Sequence, residues 1–334
     1  MKPSEAIDIV VHCISMSPPL PVFLTGEAGI GKSSIVKQAA RLTSRVLLDE
    51  RAVLLDPVDL RGVPHVDKAT SRSHWAPPAF LPNGNSGATL LFLDELNRAG
   101  AMVQNACLSL TLDRHLGEYR LPDNCSVVAA GNPDTSRGTT KLSDALASRF
   151  MHLAVEPDLD DFCAYGSAHD FRPEVLAFVR FRRENLHKYD ARATEKAFPN
   201  PRSWEFVSRV MAGNPKDAVE HKMYSGLVGR GAAGEFVAFL KMVRSLPTMA
   251  AIIRDPKGTK VPGNNEPGTL YAIASGLARE ATKRNLAAIM TYLERMPRDF
   301  MICAVKDATA RDSSLCETKE FIKFAAENAE IFAS

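Results

Sequence analysis

At 334 residues the chain exceeds one ordinary hydrophobic core and implies about two domains. Its 45% hydrophobic and 24% charged residues exclude wholesale disorder. With 41 basic against 39 acidic side chains, a formal net charge of +2, it carries no global field for gripping nucleic acid or an anionic membrane, although a local basic groove stays open.

The first apolar stretch (residues 1–20) has acids inside it, which argues against a cleaved secretory signal. Residues 21–25 (PVFLT) make a short apolar run ending at Gly26, and a helical stretch follows from Lys32 to about Thr43. Residues 46–51 read as a second strand, and Asp56-Pro57 as an N-cap followed by proline at the first helical position. Residues 63–80 are rich in turn formers, as in a small hairpin insertion, and PNGNSG at 82–87 is a loop by composition. The runs TLLFL (89–93) and SVVAA (126–130) are continuously apolar, as strands buried on both faces should be. Between them, 99–112 has helical spacing and 114–121 forms a hairpin around Gly117; a fifth strand falls near 150–155. After about Glu156 the pattern turns helical. Val175, Phe178, Val179 and Leu186 share one face of 173–188, and Trp204, Val207 and Met211 share another stripe. The tract at 254–269 (RDPKGTKVPGNNEPGT) interrupts the helices, as a long surface loop or a partly mobile linker. No run reaches the ~18 apolar residues that suggest a membrane span. Six scattered cysteines without C-x-x-C spacing read as reduced thiols, which places the protein in the cytoplasm and excludes a disulfide frame or zinc site.

GEAGIGKS at 26–33 fits G-x-x-x-x-G-K-[ST], after a strand and before a helix as that pattern requires. Through Gly26, Glu27, Ala28, Gly29, Ile30 and Gly31 the backbone wraps a polyphosphate with its N–H groups inward. The helix start at Lys32, Ser33 and Ser34 adds partial positive charge. Lys32 is placed to reach the β and γ oxygens, and Ser33 to ligand Mg2+. The competing reading is a glycine turn with Lys32 in solvent. Downstream, LLFLDELNRA ends a buried run in two acids: Asp94 to hold Mg2+, Glu95 to take a proton from an attacking water. Alone, such acids equally cap a helix. Asn132, after the third apolar run, orients that water or touches the γ-phosphate, against an ordinary Asn-Pro turn. Arg149 closes LSDALASRF, either as a cation at a helix C-terminus or as an arginine reaching a neighbouring subunit's nucleotide. Arg202, in Asn200-Pro201-Arg202, stands in a helix's first turn, where a cation opposes the dipole by about 0.3–1 kcal/mol and is better placed beside an anion. Arg98 has the same placement after Glu95.

Together these residues resemble an AAA+ ATPase and, within that superfamily, the MoxR-like group. GEAGIGKS is similar to the Walker A loop and LLFLDELNRA to the Walker B strand. AAGNPDTSRGTTKLSDALASRF is similar to the sensor 1 asparagine (Asn132), the group's Asn-Pro…Gly-Thr stretch, and the helix ending in the Arg-Phe of the arginine finger (Arg149). NPRSW at 200–204 resembles the sensor 2 arginine (Arg202) opening a lid helix, and DPVDLRGVP at 56–64 the segment leading into a helix 2 insert. The likeness runs from about residue 20 to 205. It implies an α/β P-loop NTPase core at 1–155, with a five-stranded parallel sheet in the order 5-1-4-3-2, a helix 2 insert at about 56–80 and a pre-sensor 1 hairpin at about 112–122. A helical lid at 156–250 and a C-terminal helical extension at 251–334 follow. The resemblance further implies ATP and Mg2+ at the interfaces of a homo-oligomer, usually a hexameric ring, with Arg149 acting in trans. The partner is a client protein, often one with a von Willebrand factor A domain. One departure is the missing aromatic–hydrophobic–Gly tripeptide of peptide-threading unfoldases; the nearest aromatics, Trp75 and Tyr119, read as packing residues.

Two other readings compete. A nucleic-acid motor needs a basic stripe with stacking aromatics, for which Arg180, Arg182 and Arg183 around Phe181 are the sequence candidate, though such a cluster is more often a solvated helix face. GTP-dependent restriction-type assembly shares a DE-x-x-R-A-like strand, but no guanine motif (Asn/Thr-Lys-x-Asp) accompanies it, so ATP is favoured. The intact Glu95 argues against a silent nucleotide switch.

Overall fold

The computed structural model describes residues 1–84, 86–134, 141–190 and 195–329, so the Gly138-Thr139 part of the Asn-Pro…Gly-Thr stretch lies outside the described residues. The chain divides into two compact units, Met1–Glu156 and Pro157–Ser334.

In the first unit, the strands of the main sheet are β1 (Val22–Thr25), β2 (Val46–Arg51), β3 (Thr89–Asp94), β4 (Cys125–Gly131) and β5 (Met151–Ala154). All pairings are parallel, and the strands lie in the expected order 5-1-4-3-2. Val22 registers with Val128 and Met151, and Leu91 with Leu48 and Val127. The central β3 and β4 are buried almost throughout, while β2 and β5 at the edges are largely exposed. That difference is why the central strands read as unbroken apolar runs.

Side chains alternate between the two faces. Val22, Leu24, Leu90, Phe92, Val128 and Ala130 share a core with Val10 and Ile14 of α1 (Pro3–Ser15) and with Ile35 and Val36 of α2 (Lys32–Leu42). Phe23, Leu91, Leu93, Val127 and Ala129 build the other core. Each buried Val, Leu, Ile or Phe side chain contributes about 1.5–3 kcal/mol. The N-terminal apolar stretch is therefore one face of a core helix. Helix α3 (Pro57–Arg61) starts at Asp56, whose N–H donates to the Asp59 carboxylate at 2.8 Å, and the expected insertion follows as an antiparallel hairpin, Val63–Asp67 with Arg72–Ala76. Helix α4 (Ala101–Leu108) places Val103 and Cys107 in the second core and runs on into a wider π turn, Ser109–Asp113. A short hairpin (His115–Leu116 with Tyr119–Arg120) and α5 (Asp144–Ala147) complete the unit.

The second unit is helical among its described residues. Helices α6 (Leu159–Ala168), α7 (Pro173–Phe181), α8 (Pro201–Ala212), α9 (Asp217–Val228) and α10 (Arg230–Val243) enclose Phe178, Trp204, Tyr224 and Phe236. Helices α11 (Met249–Arg254), α12 (Pro267–Glu280), α13 (Leu286–Leu293), α14 (Arg298–Arg311) and α15 (Lys319–Glu327) gather around Leu270, Ile273, Leu277, Ile289 and Leu293. Helix α7 stops at Phe181, short of the 173–188 read from periodicity, yet Val175, Phe178, Val179 and Leu186 are buried together. Residues 255–266 are a fastened loop: Arg295 Nη1 donates to the carbonyls of Pro256 (2.6 Å) and Thr259 (2.9 Å), and Tyr292 Oη to that of Lys260 (3.0 Å). Arg180 turns inward and meets both Asp307 carboxylate oxygens at 2.6 and 2.7 Å, while Arg182 lies 3.5 Å from Glu235. The cluster at 180–183 is thus no basic stripe. Among the described residues no helix is long and apolar enough to cross a membrane, and all six cysteines are free.

Candidate functional site

From Thr25 at the end of β1 the chain turns through 26–31 into α2. A Cβ on Gly26 would lie 2.3 Å from Ile30 Cδ1 and 2.7 Å from the Val155 carbonyl oxygen, so no larger residue fits. Its N–H donates to the Gly131 carbonyl (3.3 Å), tying the loop to the end of β4. Gly31 has a φ of 103°, a conformation that favours glycine, and it launches the helix. Ile30 is buried and anchors the loop, Ala28 is exposed, and Glu27 and Gly29 lie between these extremes. The first turn of α2 contains no acid, and no side chain caps it. Its N–H groups and dipole therefore suit an anion.

Lys32 Nζ donates to the carbonyls of Gly26 (2.6 Å) and Glu27 (3.0 Å) and to Asn132 Oδ1 (3.0 Å). Ser33 Oγ donates to Asp94 Oδ2 at 3.1 Å, and Ser34 sits beside it in the helix, its carbonyl accepting from Gln38 (3.3 Å). The other Asp94 oxygen accepts the N–H of Glu95 at 2.9 Å. Glu95 adopts a left-handed φ of 56°, which ends β3 and turns the chain into a single 3-10 turn, Leu96–Arg98. Arg98 Nη1 lies 3.4 Å from Glu95 Oε1, a partly exposed pair of the kind that contributes about 0–1 kcal/mol.

The fold therefore gathers Lys32, Ser33, Asp94, Glu95, Arg98 and Asn132 at the C-terminal ends of β1, β3 and β4, where parallel sheets receive ligands. It adds Asn97, which sequence reading passed over: the side chain is 2% exposed and Nδ2 donates to the Asn132 carbonyl at 2.6 Å. Arg149 does not join the cluster. Arg149 Nη1 donates to the Ala145 carbonyl (2.6 Å) at the end of α5, and no hydrogen bond or ion pair among the described residues joins it to the loop or the acids. Arg202 belongs to the second unit, at the second position of α8; the helix is capped by Asn200 Oδ1, which accepts the Ser203 N–H at 3.0 Å. Trp75 is half-buried beneath the Arg61 guanidinium (5.9 Å), and Tyr119 Oη donates to the Pro82 carbonyl at 2.5 Å, so both aromatics are engaged in packing.

The donor chemistry fits Mg2+. That ion takes oxygen ligands and is commonly held by one or two protein groups plus substrate phosphates. Ser33 Oγ and Asp94 Oδ2 supply such a pair, and among the described residues no cluster of three or more His, Cys, Asp or Glu offers a fuller cage.

A parallel 5-1-4-3-2 sheet, a glycine loop after β1 and paired acids after β3 define the AAA+ P-loop fold. Residues 21–150, less than half of the chain, match the family described as the AAA domain (dynein-related subfamily). The chain is also similar to solved structures. One is RuvB of Thermotoga maritima, described as a Holliday junction branch migration motor, at 16% identity over 88% of this chain and 86% of that one, with a TM-score of 0.39. Another is NtrX from Brucella abortus in complex with ADP, at 14% identity over 89% of this chain and 68% of that one, with a TM-score of 0.43.

Proposed function

We propose that the protein is a MoxR-like AAA+ ATPase of the cytoplasm. It hydrolyses ATP at the interfaces of a homo-oligomeric ring, hexameric by resemblance, and uses the cycle to remodel, activate or assemble a client protein. The client is one with a von Willebrand factor A domain where the resemblance holds furthest. The observation that carries the reading is the convergence of Lys32, Ser33 and Asn132 on the acids Asp94 and Glu95, with Lys32 Nζ 3.0 Å from Asn132 Oδ1 and Ser33 Oγ 3.1 Å from Asp94.

On this reading the backbone of 26–31 and the start of α2 cradle the polyphosphate, and Lys32 trades its carbonyl partners for phosphate oxygens. Ser33 and Asp94 would hold Mg2+, which when bound neutralises phosphate charge. Glu95 accepts the proton of the attacking water, and Asn132 orients that water. Arg149 meets the γ-phosphate of a neighbouring subunit, and Arg202 serves the nucleotide from a lid at 156–250, with 251–334 as a C-terminal helical extension. Arg98 holds the Glu95 carboxylate in place. The nucleic-acid reading loses its candidate surface, because Arg180 is buried against Asp307.

Purified protein with Mg2+, assayed for ATP and GTP turnover across a range of protein concentrations, tests the proposal. Turnover should favour ATP and rise more than linearly with concentration as rings form. Absence of both binding and turnover at every concentration refutes it.

A further inference from the structure

We infer that Asn97 is a positioning residue of this site: its buried amide fixes where Asn132 presents its own side chain and, through Asn132, where Lys32 rests. This builds on the reading of the site as an ATPase centre and adds to it a residue with no direct reach to the phosphates.

Asn97 lies in the middle of the 3-10 turn that leaves the paired acids. Its Nδ2 donates to the Asn132 carbonyl at 2.6 Å, and Asn132 Oδ1 accepts from Lys32 Nζ at 3.0 Å. A continuous chain of contacts therefore runs from the acid turn through Asn97 and Asn132 to the phosphate-loop lysine. Asn132 sits one residue past the end of β4, so the strand pairing that fixes Cys125–Gly131 stops short of its carbonyl. Asn97 supplies the restraint instead.

The backbone around this contact is shaped to admit it. A Cβ on Gly131 would lie 2.4 Å from Asn97 Oδ1, 2.6 Å from its Cγ and 2.8 Å from Phe23 Cζ, so glycine is what lets the amide approach the end of β4. The amide is also a poor choice for stability alone. Its Oδ1 is buried with no partner, a cost that a leucine of similar volume would not carry, although the Asn132 carbonyl would then lose its donor. Local choices that oppose stability are expected at functional positions.

Two measurements test this. In steady-state ATPase assays, Asn97→Leu fills the same space without a donor. Its thermal midpoint should stay close to that of the parent, the relief of the unpartnered Oδ1 offsetting the lost hydrogen bond, with kcat down about 100-fold, the effect of a misplacement near 1 Å, and nucleotide affinity little changed. Wild-type kcat in a stably folded Asn97→Leu overturns the inference. The second measurement needs no nucleotide: a double-mutant cycle on urea-unfolding midpoints with Gly131→Ala and Asn97→Ala. The combined loss should fall short of the sum, because removing the amide relieves one of the two clashes while Phe23 keeps the other. Additive losses overturn the contact even if the parent is an active ATPase. A parent that neither binds nor hydrolyses ATP, with a non-additive cycle, refutes the underlying reading of the site and leaves the contact standing.

Discussion

Lys32 holds three oxygens, two from its own loop and one from Asn132, so its charge is committed to this corner of the molecule. Lys32→Ala should abolish nucleotide binding, measured by titration with a fluorescent nucleotide. Glu95→Gln keeps shape and hydrogen bonding but loses the base; it should bind ATP normally and slow hydrolysis by about 10²–10⁴-fold in single-turnover assays. Normal hydrolysis by Glu95→Gln would move the base elsewhere. Thiol chemistry gives a second prediction at this scale. Burial pushes the Cys107 and Cys163 thiols up to about 12, whereas Cys316 is exposed. At neutral pH, where the thiolate reacts, alkylation of the native protein should reach Cys316 first and Cys107 and Cys163 only after unfolding, as read by mass spectrometry. Equal labelling rates would contradict the burial described. The loop, the acids and Asn132 were legible in the sequence because their chemistry demands fixed residue types at fixed spacing. Asn97 was not, because its partner is a carbonyl 35 residues away that only the parallel pairing of β3 with β4 brings alongside.

Elements were legible where burial is uniform along them. The apolar runs of β3 and β4 and the Asp56-Pro57 start of α3 follow directly from sequence, while α7 ends earlier than its stripe suggests because Leu186 continues the same core from beyond a 3-10 turn. Pairing between distant helices was not legible. Arg180 sits among arginines in sequence, yet its guanidinium is buried and meets Asp307 across 127 residues, joining α7 to α14. Burying an ion pair yields little net stability, but removing one partner strands a charge and costs about 3–5 kcal/mol. Asp307→Ala should therefore lose stability of that order in urea unfolding. The double replacement Arg180→Met with Asp307→Leu, which leaves no buried charge, should lose clearly less. A double replacement as damaging as the single would mean that shape complementarity, and not charge, holds these helices together.

At the scale of the whole molecule, the decisive residue is Arg149. Among the described residues the hydrogen bond of its guanidinium goes to Ala145 in its own helix and Nε is buried without a partner, so none ties it to the acids of the same subunit. On the proposed reading, a finger serving the next subunit would account for a cation at that position. Arg149→Ala should bind ATP and lose hydrolysis by about 10³–10⁵-fold, the worth of such a residue in related phosphoryl transfer. Concentration dependence alone would not separate a trans arginine from simple assembly, but mixing does. Arg149→Ala subunits retain Glu95, and Glu95→Gln subunits retain the arginine. In randomly assembled rings with head-to-tail interfaces, an intact acid faces an intact arginine at about one interface in four. Equimolar mixtures of two nearly inactive variants should therefore recover up to roughly a quarter of parental turnover, and each variant mixed with itself should recover none. If native mass spectrometry shows mixed rings and turnover stays at the level of either variant, the arginine acts within its own subunit or the γ-phosphate is served by another cation, with Arg202 the next to replace.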